Sequence, residues 1–292
     1  MNSFDPERNS EPPEAETQTP PGAQPVYAES PAGPAGVNPP AEAGVPARSP
    51  HLFRWRDLAI LLAFYIAAAL ALAAALAVLG IRPEALQEST TATVAVVAIS
   101  QTLHSGAMLA FLYLMVRSRS TAPFWPALGW RALPDAAPRA TSVARYILTG
   151  AGLAIMIQIA SYNLGPDFKV PMEELFRNRP SVLMMMALGI LVAPVMEETL
   201  FRGCIYPVVA RTFGIPAGIF LTGTLFGLAH SLQLAGAWRQ VVLLIAVGIF
   251  LTYIRARAQT VAASYLVHLG YNTLLFVVFY FATGGLRNFP SP

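Results

Sequence analysis

The sequence predicts an all-α fold: a polytopic transmembrane helical bundle of about seven spans with a disordered N-terminal tail. Three observations carry this reading. Charged residues make up 12% of the 292 residues and apolar residues 55%, and the mean hydropathy is +0.52. A soluble chain of this length needs more charge to cover its surface. The apolar excess begins after about residue 57, and from there arginines collect between long apolar runs, where they set topology.

Residues 1–52 are rich in Pro, Ala, Gly and Glu and nearly lack large apolar side chains. Such a segment buries too little surface to offset chain entropy, so it reads as a disordered cytoplasmic tail, and residues 53–292 read as the membrane domain. Trp55 between Arg54 and Arg56 has the look of an interfacial anchor for a first span from Leu58 to Gly80. A second span runs from about Thr91 to Val116 and ends in Arg117 and Arg119. A loop dense in Pro, Gly and Trp follows, then a third span from about Val143 to Leu164. Residues Pro171 to Phe176 form a short amphipathic stretch suited to the interface. The fourth span starts near Pro180, carries Glu197 and Glu198, and continues to about Arg211. The fifth covers Ile215 to His230, the sixth Arg239 to Ile254, and the seventh Gln259 to Phe281. Gly214/Gly218 and Gly223/Gly227 have the small-xxx-small spacing that lets helix backbones approach closely.

With seven spans, every arginine-rich connection falls on one side: Arg48 to Arg56, Arg117 to Arg145, Arg202 with Arg211, and Arg255 with Arg257. That side is cytoplasmic by the positive-inside rule. An Arg-rich, Lys-poor, Ala-rich composition points to a bacterial source, and so to the inner membrane with the N-terminus in the cytoplasm. The net charge of +3 is too small for a nucleic-acid partner, and no basic stripe with interleaved aromatics exists. The single cysteine, Cys204, excludes an intrachain disulfide and reads as a packed small side chain. No transporter-like internal repeat is visible.

Ionisable groups at membrane depth are costly and are functional candidates by default. Glu198 is the last acidic residue in the chain, so Glu197 and Glu198 are the leading carboxylates for His230 and His268. Glu198 and Arg202 are four apart, on one helix face and within ion-pair reach, and read as a structural pair. Glu197 points about 100° away. His268 and Asn272 share a face, as do Phe226 and His230. His104, beside Gln101 and Ser105, reads as a hydrogen-bonded packing residue. Glu197, His230, His268 and Asn272 bring acid–base and oxyanion chemistry to apolar helices. With the inner membrane end of the fourth span taken at about residue 207, Glu197 and His268 lie at similar depth, about 15 Å in, whereas His230 falls nearer the outer end.

Glu197-Glu198-x-x-x-Arg202, then Phe226-x-x-x-His230, then His268-x-x-x-Asn272, each on an apolar helix, resembles the CPBP family. That family comprises the CAAX prenyl endopeptidases, the bacteriocin-processing proteins and the related Abi proteins. Ala193-Pro194-Val195-Met196-Glu197-Glu198-Thr199-Leu200-Phe201-Arg202-Gly203 is similar in wording too. The resemblance covers about residues 170–282, which it marks as a catalytic core. It implies a glutamate-dependent intramembrane endopeptidase that needs no cofactor and acts on a membrane-associated peptide or protein. In that analogy Glu197 is the catalytic glutamate, His230 helps it activate water, and His268 with Asn272 stabilises the oxyanion.

Two other readings compete. One is a catalytically silent scaffold or immunity protein of the same fold. The other is a zinc metalloprotease with Glu197, His230 and His268 as ligands. It lacks the HExxH spacing and leaves Asn272 without a role. The arginine pattern gives a direct test of topology. Reporter fusions after residues 130 and 257 should both read cytoplasmic, and an outward reading at either one defeats the seven-span arrangement.

Overall fold

The structure, a computed structural model, describes residues 52–81, 89–134, 138–164, 175–234 and 237–289. The chain divides into Met1–Arg48 and Ser49–Pro292. The first unit, and with it nearly all of the expected tail, lies outside the described residues, as does most of the expected amphipathic stretch at 171–176.

Among the described residues the fold is all-helical. In chain order the helices are α1 (Trp55–Val78), α2 (Thr90–Arg117), the single turn α3 (Phe124–Ala127), α4 (Arg139–Leu164), α5 (Arg179–Phe213), α6 (Ile215–Ala229), α7 (Trp238–Ala258) and α8 (Val261–Ala282). Six of them are long and apolar enough to cross a membrane. The seventh apolar helix, α6, has only 15 residues, about 22 Å of helix against a hydrocarbon core of about 30 Å. The seven apolar segments expected from the sequence are thus all helices, one of them short. Their outward faces are what lipid requires: Leu62, Ile66 and Leu70, spaced by four on α1, are all exposed.

The helix ends follow ordinary capping chemistry. Ser89 accepts from the Ala92 amide at 3.3 Å, Asn178 from Ser181 at 3.0 Å with Pro180 in the first turn, and Thr260 from Ala262 at 3.2 Å; each occupies one of the orphan donors of a first turn. Between α5 and α6 the chain reverses at Gly214, whose φ of +86° a side chain rarely adopts.

The arginine-bearing ends meet at one end of the bundle. Buried Asp57 at the start of α1 pairs with Arg119 beyond α2 at 3.0 Å. Arg211 near the end of α5 donates to the Phe53 carbonyl at 2.7 Å, and the Trp55 indole donates to Thr212 at 3.0 Å. Arg131 exchanges two bonds with Thr260 at the head of α8: its amide donates at 3.0 Å and its carbonyl accepts at 2.8 Å. At the other end Thr91 donates to Asn178 at 3.2 Å, joining the starts of α2 and α5.

One apolar cluster joins α1, α2 and α5 around Met108, Leu112, Met196 and the fully buried Cys204, so that thiol is a packing group. His104 is buried edge-on against Tyr65, with ring centroids 4.5 Å apart. It packs as expected, but its Nε2 lacks the expected hydrogen bond. Glycines set the tightest crossings. Gly218 lies against Ala210, and Gly223 and Gly227 lie against Ile249 and Ile245 of α7.

At the α4–α8 crossing the fit is reciprocal. A Cβ on Gly150 would strike the Val267 carbonyl, and one on Gly270 would strike the Ile147 carbonyl. The obstacles are backbone atoms, which have little room to yield. Gly270→Ala should therefore cost about 1–3 kcal/mol of stability, read as a lower melting temperature of the purified protein. An unchanged melting temperature would mean that the two helices separate without penalty.

Candidate active site

Every motif residue sits on α5 to α8. The first question is how a 35-residue helix carries two adjacent carboxylates into different surroundings. Two π-helical turns, Leu188–Val192 and Thr199–Ile205, flank the segment Ala193–Glu198. In each, the closing amide reaches five residues back: Ala193 donates to Leu188, and Tyr206 donates to Phe201. Each closing residue is followed by a proline, Pro194 or Pro207, which has no N–H to donate. Proline thus removes the next ladder bond at both points, and the helix takes up the change as a widened turn.

Glu198 and Arg202 are both fully buried, and the guanidinium donates to Glu198 Oε1 at 2.9 Å. A second Arg202 nitrogen donates to the Gly248 carbonyl of α7 at 2.9 Å. The guanidinium carbon also stands 4.5 Å from the Phe226 ring centroid, in cation–π contact. Glu198 has a further partner, since His268 Nδ1 lies 3.0 Å from the same Oε1. A carboxylate can only accept, so this nitrogen carries the proton.

Glu197 faces elsewhere. Its side chain keeps 24% of its exposure, and it lies between two imidazoles: His230 Nε2 is 3.8 Å from Oε1, and His268 Nε2 is 3.8 Å from Oε2. His230 Nδ1 bonds the Phe226 carbonyl at 2.7 Å, again an acceptor, so its proton is also on Nδ1. Both rings therefore turn Nε2 toward Glu197. At 3.8 Å neither makes a direct hydrogen bond, but both are within reach of a molecule held between them.

The depth of His230 is where the structure departs from the sequence reading. The Glu197 helix runs on to Phe213, past the membrane end expected at about residue 207 and close to the span end expected near Arg211, and α6 turns back at once through Gly214. Glu197 precedes the reversal at Gly214 by about as many residues as His230 follows it, so the two arms of the hairpin end at one level. His230 caps the short α6 and lies well inside the bundle.

Asn272 stands one turn beyond His268 on α8 and donates its amide to the Gly189 carbonyl at 2.7 Å. That carbonyl belongs to the first π turn. Its usual donor, Ala193, is spent on Leu188, and the next residue is Pro194. Glu197, His230 and His268 thus converge, while Asn272 is anchored to the wall beside them. Among the described residues no group of three or more His, Cys, Asp or Glu side chains is placed to hold a metal ion.

Sequence reasoning placed Phe226 on the face of His230 but missed its other contacts, and it missed several further contributors. Phe226 is buried with ring centroids 4.8 Å from His230, 5.9 Å from His268 and 5.2 Å from Phe201, so it spaces the site. Trp130, from the loop after α2, donates its indole N–H to Thr199 at 3.1 Å, next to Glu198. The prolines at 194 and 207 were the available signal for the π turns. Gly248 and Trp130 have none in the local pattern.

Residues 179–274 match the family model described as Type II CAAX prenyl endopeptidase Rce1-like. No curated protein and no solved structure matches the chain. The matched stretch begins with α5 and takes in all three motifs, so the resemblance drawn from them holds. With six apolar helices, it supports an integral membrane protease of the CAAX type in general.

The two carboxylates should answer differently to amide substitution. Glu198→Gln removes the charge that offsets buried Arg202, which should cost about 3–5 kcal/mol and lower both melting temperature and membrane abundance. Glu197→Gln should leave both near the parent values. Equal destabilisation by the two variants would show that the carboxylates share one structural task.

Proposed function

We propose that the chain is an intramembrane glutamic endopeptidase, in which Glu197 and His230 activate a water molecule to hydrolyse a peptide bond of a membrane-associated substrate. The observation that supports this most directly is the pair of imidazole Nε2 atoms turned toward the two oxygens of Glu197, each 3.8 Å away. Glu197 is the one acidic side chain in this cluster not bound to Arg202, and it retains exposure.

In the proposed reaction a water donates a hydrogen bond to Glu197 and a second to His230 Nε2. Glu197 takes its proton as hydroxide attacks the scissile carbonyl carbon. The carbonyl π electrons move to oxygen, and the resulting oxyanion is met by the Asn272 amide and, when the His268 ring carries a second proton on Nε2, by that N–H as well. Asn272 has two amide protons. One holds Gly189, which fixes the side chain, and the other serves the oxyanion. The tetrahedral intermediate collapses with cleavage of the C–N bond, and the proton on Glu197 passes to the leaving amine. One water is consumed, and a carboxyl and an amine are released. Glu198 and Arg202 touch no reacting atom in this scheme; they orient His268 through its Nδ1. In this reading substrate and water enter from the arginine-rich end, on the cytoplasmic side of the bacterial inner membrane.

Comparing membrane-protein termini in cells carrying the parent gene, Glu197→Ala or no gene tests this reading. New termini should appear only with the parent, at equal protein abundance, and His230→Ala should lower the rate by at least about 100-fold. Termini unchanged across all three strains would favour the silent scaffold. Activity abolished by chelators and restored by zinc would favour the metalloprotease.

A further inference from the structure

Away from the motifs, at the arginine-bearing end of the bundle, lies an open cavity of about 540 Å³. Its walls come from the loop after α2 and the heads of α4 and α8, and include Trp125, Trp130, Leu133, Arg131, Arg139 and Ser142. We propose that this cavity binds the phosphate-bearing head of an anionic membrane phospholipid.

Charge is the first argument. Two arginines line the cavity and no acidic residue does, among the described residues. The heads of α4 and α8, at Arg139 and Val261, add the partial positive charge of helix N-termini. The second is an unanswered polar group. Ser142, in the first turn of α4, is 2% exposed, and its hydroxyl has no hydrogen-bond partner. A buried hydroxyl without a partner is costly, and this one belongs to the lining of the cavity, where a phosphate oxygen would complete it.

Position selects a lipid over a soluble anion. Five aromatic rings follow one another at this level: Tyr113–Phe124 at 5.6 Å, Phe124–Trp125 at 4.8 Å, Trp125–Trp130 at 5.6 Å and Trp130–Tyr265 at 5.3 Å. Tyr113 and Trp125 are substantially exposed. Tyrosine and tryptophan in such a row mark headgroup depth in a membrane, and basic pockets between membrane helices on the cytoplasmic side suit anionic headgroups. The mouth of the cavity thus lies where lipid phosphates lie, with Leu133 and the indoles to meet the glycerol and upper acyl chain. The loop is fixed as well: the Arg131 backbone is tied to Thr260 on both sides, and the Val261 amide donates to Gly129 at 2.8 Å. Arg131 therefore projects from an ordered frame.

The test uses the full chain in neutral detergent, titrated with dihexanoyl phosphatidylglycerol, dihexanoyl phosphatidylcholine or inorganic phosphate, and follows tryptophan fluorescence. Phosphatidylglycerol should bind saturably and the other two weakly. The double variant Arg131→Gln/Arg139→Gln should weaken it by about 30-fold and Ser142→Ala by about 5-fold. Arg117→Gln/Arg257→Gln, on the same end but outside the cavity, should change nothing. Equal binding of phosphatidylcholine or of phosphate overturns the proposal, as does equal loss in the control pair or no saturable signal. A short peptide with a free C-terminal carboxylate that binds where phosphatidylglycerol does not would assign the cavity to peptide and also overturn it.

Discussion

A guanidinium buried among membrane helices is the constraint on which the site depends. Arg202 is wholly inaccessible, and stripping water from such a cation costs several kcal/mol unless other groups replace it. Three helices supply the replacements. Glu198 gives a charge from the same helix, Gly248 a carbonyl from α7, and Phe226 a π face from α6. A glycine at 248 is needed for this, because a Cβ there would strike the Gly223 carbonyl and hold α6 away from α7. Once Glu198 is fixed by Arg202, it fixes His268 through Nδ1. Once Phe226 is fixed, it sets the spacing of both imidazoles. The ion pair therefore reaches Glu197 through its neighbours, with no need to touch the reacting atoms.

Backbone carbonyls left over at helix irregularities do the rest of the orienting. At the end of α6 the His230 amide closes a tight turn onto Gly227, which leaves the Phe226 carbonyl without its usual partner. The His230 side chain takes that carbonyl, and the choice of nitrogen for this bond turns the other toward Glu197. In the first π turn, Pro194 leaves the Gly189 carbonyl free, and Asn272 takes it. An unsatisfied carbonyl in a membrane costs several kcal/mol, so each irregularity supplies a strong anchor for one polar side chain.

Much of this was legible because apolar periodicity and a scarcity of charge are strong signals in a membrane protein. All seven apolar segments could be read, and the i,i+4 relation of Glu198 to Arg202 followed from helix geometry alone. Depth was not legible for His230, although the bounds of α6 were read almost as they stand, because spacing along the chain does not show that α5 and α6 form a hairpin whose short arm ends level with Glu197. Which imidazole Glu198 would hold could not be read either. Spacing along one helix says nothing about what α8 brings alongside, and so the carboxylate read as the structural partner of Arg202 also holds His268.

The loop after α2 shows how the motif helices depend on sequence that carries no motif. Trp130 closes one wall of the arginine-lined cavity with its ring and bonds Thr199 with its indole nitrogen. Thr199 opens the second π turn directly after Glu198 and donates to the Val195 carbonyl at 2.6 Å. A single rigid side chain thus connects the cavity wall to the turn that follows both glutamates. A rigid indole transmits position better than a flexible chain would, because it has only two side-chain torsions to fix. The ring that lines the cavity and the nitrogen bonded beside Glu198 thus belong to one side chain, which joins the cavity wall to the neighbourhood of the site.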